Sequence, residues 1–386
     1  MRPEPGHVRR VSGDDEKVAV AVRFGVHRGV EDTILGPVTM VEGTFGEKRR
    51  VYRWDLDKTY LRTEFDTVRD LLKLAFESAA QKRTVPGAAS LLREIRATEP
   101  LGIYIVSGSP EQLRRVLEAK LRLDGIRWDG FSLKPQLSNI LRGRFRFVKG
   151  QVHYKLGVLL ESRVQLAEEI DEFMFGDDAE ADAFIYSLYS DICAGRVDAA
   201  TLSAVLEGAG VYEDELPRLL ELAAQIPTYD VGRRIFIHLD RISSPRGFEE
   251  FGSRVCPFYN YVQPAFVLLS QGALDPLGVL RVAAELVIHH GFTADALVAS
   301  FTDIASRGHV GSASAKRIID AFGDVQETHF ATTYPTLASF VRQLETAAAA
   351  FDEFGAPEPV EIDYVSLFSR DKARARLAKK RLKRPS

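Results

Sequence analysis

Asp55 and Asp57, in the stretch Val51-Tyr52-Arg53-Trp54-Asp55-Leu56-Asp57-Lys58-Thr59, stand two positions apart at the end of a β-like run. Alternate residues of a strand face the same way, so the two carboxylates are expected to share one pocket. Like charges at close range repel, and such a pair persists where a cation neutralises it or where one member keeps a proton. The pattern reads as a metal site or as an acid/base pair. Asp-x-Asp is also frequent in surface loops, and what lifts it above that background is the order of three later segments.

The first of these is Leu101-Gly102-Ile103-Tyr104-Ile105-Val106-Ser107-Gly108-Ser109-Pro110, an apolar run of buried-strand type that stops at a hydroxyl. Ser109 is placed to cap a helix opening at Pro110, which leaves Ser107 at a strand's carboxyl end beside free backbone N–H groups, a setting that suits an anion. Next comes Val152-His153-Tyr154-Lys155-Leu156-Gly157, where Lys155 is expected to open an amphipathic helix. The third is Phe173-Met174-Phe175-Gly176-Asp177-Asp178-Ala179-Glu180-Ala181-Asp182, an apolar strand, a glycine turn and a dense acidic cluster. Charge repulsion makes such a cluster costly unless it binds a cation.

The four segments together resemble the haloacid dehalogenase superfamily of aspartate-nucleophile phosphatases, whose motifs are Asp-x-Asp-x-Thr, a strand-end Ser or Thr, a Lys, and Gly-Asp followed by another acid. Three further features resemble a narrower family, the phosphatidate phosphatase catalytic domain of fungal actin-patch proteins and many bacterial proteins. They are Val85-Pro86-Gly87-Ala88 before a helix, Ser107-Gly108-Ser109-Pro110, and the spacing from Gly176-Asp177 to Asp182 with Tyr186 four residues on. Lys58 stands where that family tends to have Asp, and Asp178-Ala179 where it has Ser-Gly, so metal-site charge and substrate contacts are expected to differ.

The resemblance implies roles. Asp55 is the nucleophile that forms an aspartyl-phosphate, and Asp57 protonates the leaving group and then activates water. Ser107 and Lys155 hold the phosphoryl oxygens, and Thr59 braces the motif. Asp55, Asp177 and Asp182, with the backbone carbonyl at Asp57, bind Mg²⁺, and Asp178 is an alternative to either acid of the cluster. The expected substrate is a phosphoester, lipid or other. The competing expectation is a scaffold or sensor of the same fold that binds phosphorylated ligands without turnover, and a phosphomutase is a smaller possibility.

Positioning these residues takes a particular fold. Strand-like runs alternate with helical periodicity from residue 51 through the acidic cluster, the grammar of an α/β, doubly wound parallel sheet that collects ligands at the carboxyl ends of its strands. A hairpin-like N-terminal extension over 1–50 precedes a catalytic domain over 51–275. Within that domain 63–79 reads as a helix, about 190–228 as a helical insertion, 233–239 and 254–261 as strands, and 263–271 as a helix. A helical C-terminal region over 276–355 follows. Its Gly308–Ile318 stretch faintly resembles a helix-hairpin-helix DNA-backbone motif, while nucleic acid is not an expected partner.

Over the whole chain of 386 residues the net charge is −3. The tail over 356–386 has a different character, for residues 370–386 carry nine basic residues against Asp371, a net of +8 that leaves −11 for residues 1–369. A basic end on an acidic body suits peripheral contact with an anionic membrane. Two cysteines, Cys193 and Cys256, exclude a disulfide framework or a cysteine-based zinc site. The opening residues lack a signal peptide's apolar stretch and no apolar run suits a membrane span, so a cytoplasmic location is expected.

Overall fold

The computed structural model describes residues 49–62, 83–134, 149–166, 169–179, 181–211, 213–241, 243–326, 335–353, 355 and 358–369, all within the unit Phe45–Ser386. Nearly all of the N-terminal extension, the helix expected over 63–79, most of the loop over 134–150 and the basic tail from Arg370 lie outside the described residues.

Six strands form one all-parallel sheet in the order β3-β2-β1-β4-β5-β6. They are β1 (Arg50–Trp54), β2 (Gly102–Pro110), β3 (Gly130–Lys134), β4 (Asp171–Asp177), β5 (Gly232–His238) and β6 (Val255–Phe258). The winding reverses between β1 and β4, and a sheet of this order opens a crevice beyond the carboxyl ends of the two strands at the reversal. Asp55 and Asp57 follow β1, and Asp177 ends β4.

One face of the sheet carries an aromatic ladder set by its register. Trp54 pairs with Phe175 and Phe175 with Phe236, so their rings stack at 3.8 and 4.6 Å. Helices α1 (Ala88–Ala97) and α2 (Arg114–Leu123) cover this face. The same core takes in α7 (Val262–Ser270), α8 (Pro276–His290), α9 (Ala294–Ser306), α10 (Ser312–Gln326) and α11 (Pro335–Ala348). On the other face Met174, Ile235 and Ile237 meet α3 (Lys149–Leu166), α4 (Asp182–Cys193), α5 (Ala199–Ala209) and α6 (Leu216–Gln225). The last two are the helices that lie between α4 and β5. Tyr364 and Leu367 join this second core, and the Tyr364 hydroxyl donates to Asp191, which Arg254 grips with two bonds of 2.6 Å.

A charged cluster is sealed against that second face. Arg53 on β1 and Glu172 on β4 are fully buried and joined as an ion pair. The Arg53 guanidinium also donates to Ser162 at 3.0 Å and to the Tyr189 hydroxyl at 3.4 Å, while Tyr189 donates to Glu172 at 2.9 Å. Such a pair is tolerable in a dry core because most of its hydrogen-bonding capacity is used.

Several local expectations are corrected. Pro110 does not open a helix: it is extended (φ −69°, ψ 147°), β2 runs through it, and a 3-10 turn over Glu111–Leu113 leads into α2. Lys155 does not open its helix either, for α3 begins at Lys149 and Lys155 is buried within it. Gly176 belongs to β4 rather than to a turn. The Gly308–Ile318 stretch forms the junction into α10 after α9, with His309 and Val310 buried at 5% and 2% exposure. Cys193 and Cys256 are free and buried. Among the described residues no helix is long and apolar enough to cross a membrane.

The buried pair makes a test of the packing. Glu172→Met should cost about 3–5 kcal/mol in urea unfolding by stranding both Arg53 and Arg163, which lies 3.7 Å from the same carboxylate, and Arg53→Met should cost less because Arg163 still faces Glu172. The double variant Arg53→Met/Glu172→Met should recover only part of that loss, since Arg163, buried 3.7 Å from Glu172, loses its carboxylate as well.

Candidate active site

Asp55 lies one residue beyond β1, and its N–H donates to the Phe175 carbonyl at 2.9 Å, extending the β1–β4 ladder by one bond. The same carbonyl accepts from the Tyr186 hydroxyl at 3.3 Å, one turn into α4 from Asp182. The nucleophile candidate is therefore held by backbone on one side and by Thr59 on the other, whose hydroxyl donates to Asp55 Oδ2 at 3.2 Å.

Carboxylate oxygens of Asp55, Asp177 and Asp182 all lie within 4.8 Å of one another, and all three residues are buried. Lys155 enters from α3, with Nζ 3.0 Å from Asp55 Oδ1 and 2.5 Å from Asp182 Oδ1. Three carboxylates against one ammonium leave the centre strongly anionic at low dielectric, where like charges repel most. An oxygen-only donor set of this charge fits a hard divalent cation such as Mg²⁺ and does not suit a soft, thiolate-seeking metal.

Asp182 reaches the centre because residue 176 is glycine. A Cβ built on Gly176 would stand 2.4 Å from Asp182 Oδ2 and 2.5 Å from its Cβ. With that space open, the Asp177 N–H donates to Asp182 Oδ2 at 3.2 Å, and the Ala179 N–H donates to Asp177 Oδ1 at 2.5 Å. Asp178 faces elsewhere: its oxygens accept from the N–H groups of Arg241 at 2.9 Å and Ser243 at 3.1 Å. It braces the loop after β5 and is not in the cluster.

Asp57 belongs to a second group of contacts. Its Oδ2 accepts from the Ser107 hydroxyl at 3.1 Å and the Ser109 hydroxyl at 2.6 Å, and Ser107 Oγ accepts from the Ser109 N–H at 3.0 Å. Ser109, expected to cap a helix, spends its hydroxyl on Asp57 instead, and no side-chain cap bond forms at that helix entry. The i, i+2 argument for Asp55 and Asp57 also needs amending, because β1 stops at Trp54 and the two carboxylates are placed by a turn. In that turn the Tyr60 and Leu61 N–H groups both donate to the Leu56 carbonyl, at 2.9 and 2.8 Å.

The turn carries backbone strain. Lys58 has φ 60°, a left-handed conformation that costs a residue with a Cβ about 1–2 kcal/mol. His238, at the end of β5, offsets it: ring Nδ1 lies 2.7 Å from the Lys58 carbonyl. A carbonyl only accepts, so Nδ1 carries the proton. Burial holds the ring's pKa below its ordinary value, against the pull of the Lys58 hydrogen bond and of Asp240 and Asp178. The ring is neutral near pH 7, with its lone pair on Nε2. Tyr261 adds a bond from its hydroxyl to the Thr59 carbonyl. Burial foremost, then the charges of Asp55 and Asp177, keeps that hydroxyl protonated far above its usual range.

The residues expected from sequence thus fall into two contact groups at one end of the sheet, Asp55 with Lys155, Asp177 and Asp182, and Asp57 with Ser107. Ser109, His238 and Tyr261 were not expected there. His238 had a signal, as a polar residue closing an apolar strand. Tyr261 had none, since it meets Thr59 only through the packing of α7.

Gly176→Ala tests the close approach. The new methyl should displace Asp182, cost about 1–3 kcal/mol, and abolish the rise in melting temperature that millimolar Mg²⁺ gives the wild type by mass action. Gly208→Ala is the control, because among the described residues its Cβ would meet Phe368 at an ordinary 3.6 Å; its Mg²⁺ response should equal that of the wild type. No family model matches the chain, and no curated protein or solved structure matches it either.

Proposed function

We propose that the protein is a Mg²⁺-dependent phosphatase that hydrolyses a phosphomonoester through an aspartyl-phosphate on Asp55, as the resemblance to haloacid dehalogenase phosphatases implies. The observation that carries this reading is the convergence of three buried carboxylates on one buried lysine at the sheet's switch point. Phosphoryl transfer needs an in-line nucleophile, a proton donor for the leaving oxygen and positive charge around the equatorial oxygens. The site has a residue for each.

Asp55 attacks phosphorus, and the bond to the ester oxygen breaks as the new P–O bond forms. The leaving oxygen takes its proton from Asp57. Water then attacks the phosphorus of the aspartyl-phosphate, giving a proton back to Asp57 and releasing inorganic phosphate and the Asp55 carboxylate. Because Ser107 and Ser109 both donate to Asp57 Oδ2, the proton that moves is carried on Oδ1.

A hydroxyl has one proton to give. For Ser107 to hold a phosphoryl oxygen it must turn away from Asp57, and Ser109, the closer donor at 2.6 Å, keeps the carboxyl in place when it does. Lys155 supplies a fixed positive charge beside the nucleophile. Asp55, Asp177 and Asp182 would hold Mg²⁺, which supplies charge neutralisation to the transferring group when bound.

The experiment is a phosphate-release assay of the full chain with Mg²⁺ against a panel of phosphomonoesters that includes phosphatidate vesicles. Asp55→Asn should lower turnover by at least about a thousandfold, on the scale of losing a covalent nucleophile, with the melting temperature retained. Asp177→Asn should raise the Mg²⁺ concentration needed for half-maximal rate. Wild-type turnover in Asp55→Asn, or activity indifferent to a chelator, would overturn the proposal.

A further inference from the structure

Beside the turn that carries Asp57 is a cavity of about 460 Å³ whose walls include Arg62, Arg83, Arg93, Lys120 and Asp124. It joins the candidate active site through backbone. Asp57 is a bridge partner of Leu61 and Leu61 of Thr84, while the Arg62 N–H donates to the Arg83 carbonyl at 2.9 Å and the Val85 N–H to the Tyr60 carbonyl at 2.8 Å. Arg62 and Arg83 are thus cross-strand neighbours at the outer end of a ladder whose inner end holds Asp57.

Among the described residues, the two acids of this cavity's wall are engaged by groups other than Arg62 and Arg83. Asp124 is committed: Oδ2 accepts from Tyr60 at 2.6 Å and from Thr84 at 3.1 Å, Oδ1 from Lys120 at 2.7 Å, and its main-chain carbonyl from Arg93 at 2.7 Å. The other acid of the wall, Glu285, faces His290 at 3.3 Å. Among the described residues no carboxylate pairs with the side chain of Arg62 or Arg83, and both are solvent-exposed. Two solvent-exposed guanidiniums in the wall of a cavity whose described acids are engaged elsewhere make a receptor for an anion, since a guanidinium matches phosphate or carboxylate with two parallel hydrogen bonds. The Arg62 charge also acts on His238, which braces the turn carrying Asp57, and opposes its protonation after burial has done so.

We infer that this cavity is a subsite for a second phosphoryl group on the substrate, so that the preferred substrates are phosphomonoesters carrying a further phosphate on the leaving-group side. The inference rests on the phosphatase reading for the direction in which the substrate lies. Its binding component does not depend on turnover.

The test uses the full chain with Asp55→Asn, which retains the cavity and prevents hydrolysis, and calorimetric titration with alkanediol monophosphates and bisphosphates of short, medium and long spacer in Mg²⁺ buffer. At the best spacer the bisphosphate should bind about tenfold more tightly than the monophosphate, the scale of one charge-assisted bidentate contact. Adding Arg62→Ala and Arg83→Ala should remove that ratio while leaving monophosphate affinity within about twofold. Arg62→Lys/Arg83→Lys should restore part of the ratio, because the charge returns without the fork. An unchanged ratio in the alanine pair would overturn the subsite. So would an equal loss for both ligands, which would make the arginines part of the general field, or competition of inorganic phosphate against the monophosphate alone. If the wild type released no phosphate from any ester yet the ratio remained dependent on the arginines, the phosphatase reading would fall and the subsite would stand.

Discussion

Electrostatic repulsion among Asp55, Asp177 and Asp182 is the constraint on which the other features of this structure depend. Three carboxylates within 4.8 Å of each other, all out of water, would spring apart if each were not tied down separately. Asp55 is tied by its backbone bond to Phe175 and by Thr59, Asp177 by the N–H of Ala179, and Asp182 by the N–H of Asp177 and by Lys155. The scaffold behind them is stiff for the same reason. The stacked Trp54, Phe175 and Phe236 lock the register of β1, β4 and β5 on one face, and the Arg53–Glu172 pair joins β1 to β4 on the other. Lys155 is the single cation that α3 delivers to the centre, and its burial is tolerable only because two carboxylates meet it there.

Beside this centre Asp57 and its partners form a second group. Asp57 belongs to a turn with a left-handed Lys58, steadied by His238 from β5 and by Tyr261 bonded to Thr59. Strain of this kind persists where surrounding contacts over-determine it. It sets the Asp57 carboxyl toward Ser107 and Ser109 on β2, so that Asp57 is positioned by a different strand from Asp55. The same turn continues into the ladder that ends at Arg62 and Arg83, which places positive charge outside the anionic centre.

The C-terminal helices do not stand apart from the sheet. α8 to α11 share the aromatic core with α1 and α7, and Gly87, with φ 83°, lets Tyr261 and Leu286 approach the start of α1, where a Cβ would stand 2.9 Å from the Tyr261 Cβ. Tyr364, much later in the chain, closes over Asp191 and Arg254 on the opposite face. The stability of the site is in this way coupled to residues two to three hundred positions away.

Much of this was legible in the amino-acid sequence. Apolar runs alternating with helical periodicity determined the strands and helices, because buried parallel strands must be apolar on both faces, and the acids stood at the ends of those runs. From these runs together with the family resemblance of the four segments, Asp55, Asp57, Ser107, Lys155, Asp177 and Asp182 followed as candidates, and two or three short helices were expected where α5 and α6 lie. What the sequence could not determine was which hydrogen bond each polar group makes. Ser109 reads as a helix cap because local chemistry favours it, yet it serves Asp57, which approaches from another strand. Gly176 reads as a turn because glycine usually marks one, yet it is a strand residue that leaves room for Asp182. Asp178 and Asp182 are both acids in one cluster, and only the direction of the chain after β4 separates a loop brace from a member of the centre. Arg53 and Glu172, a buried pair from strands 119 positions apart, carry no sequence signal at all. Local periodicity is a property of neighbours along the chain, whereas the pairing of polar groups is decided between segments distant in sequence, and only the tertiary structure brings those segments together.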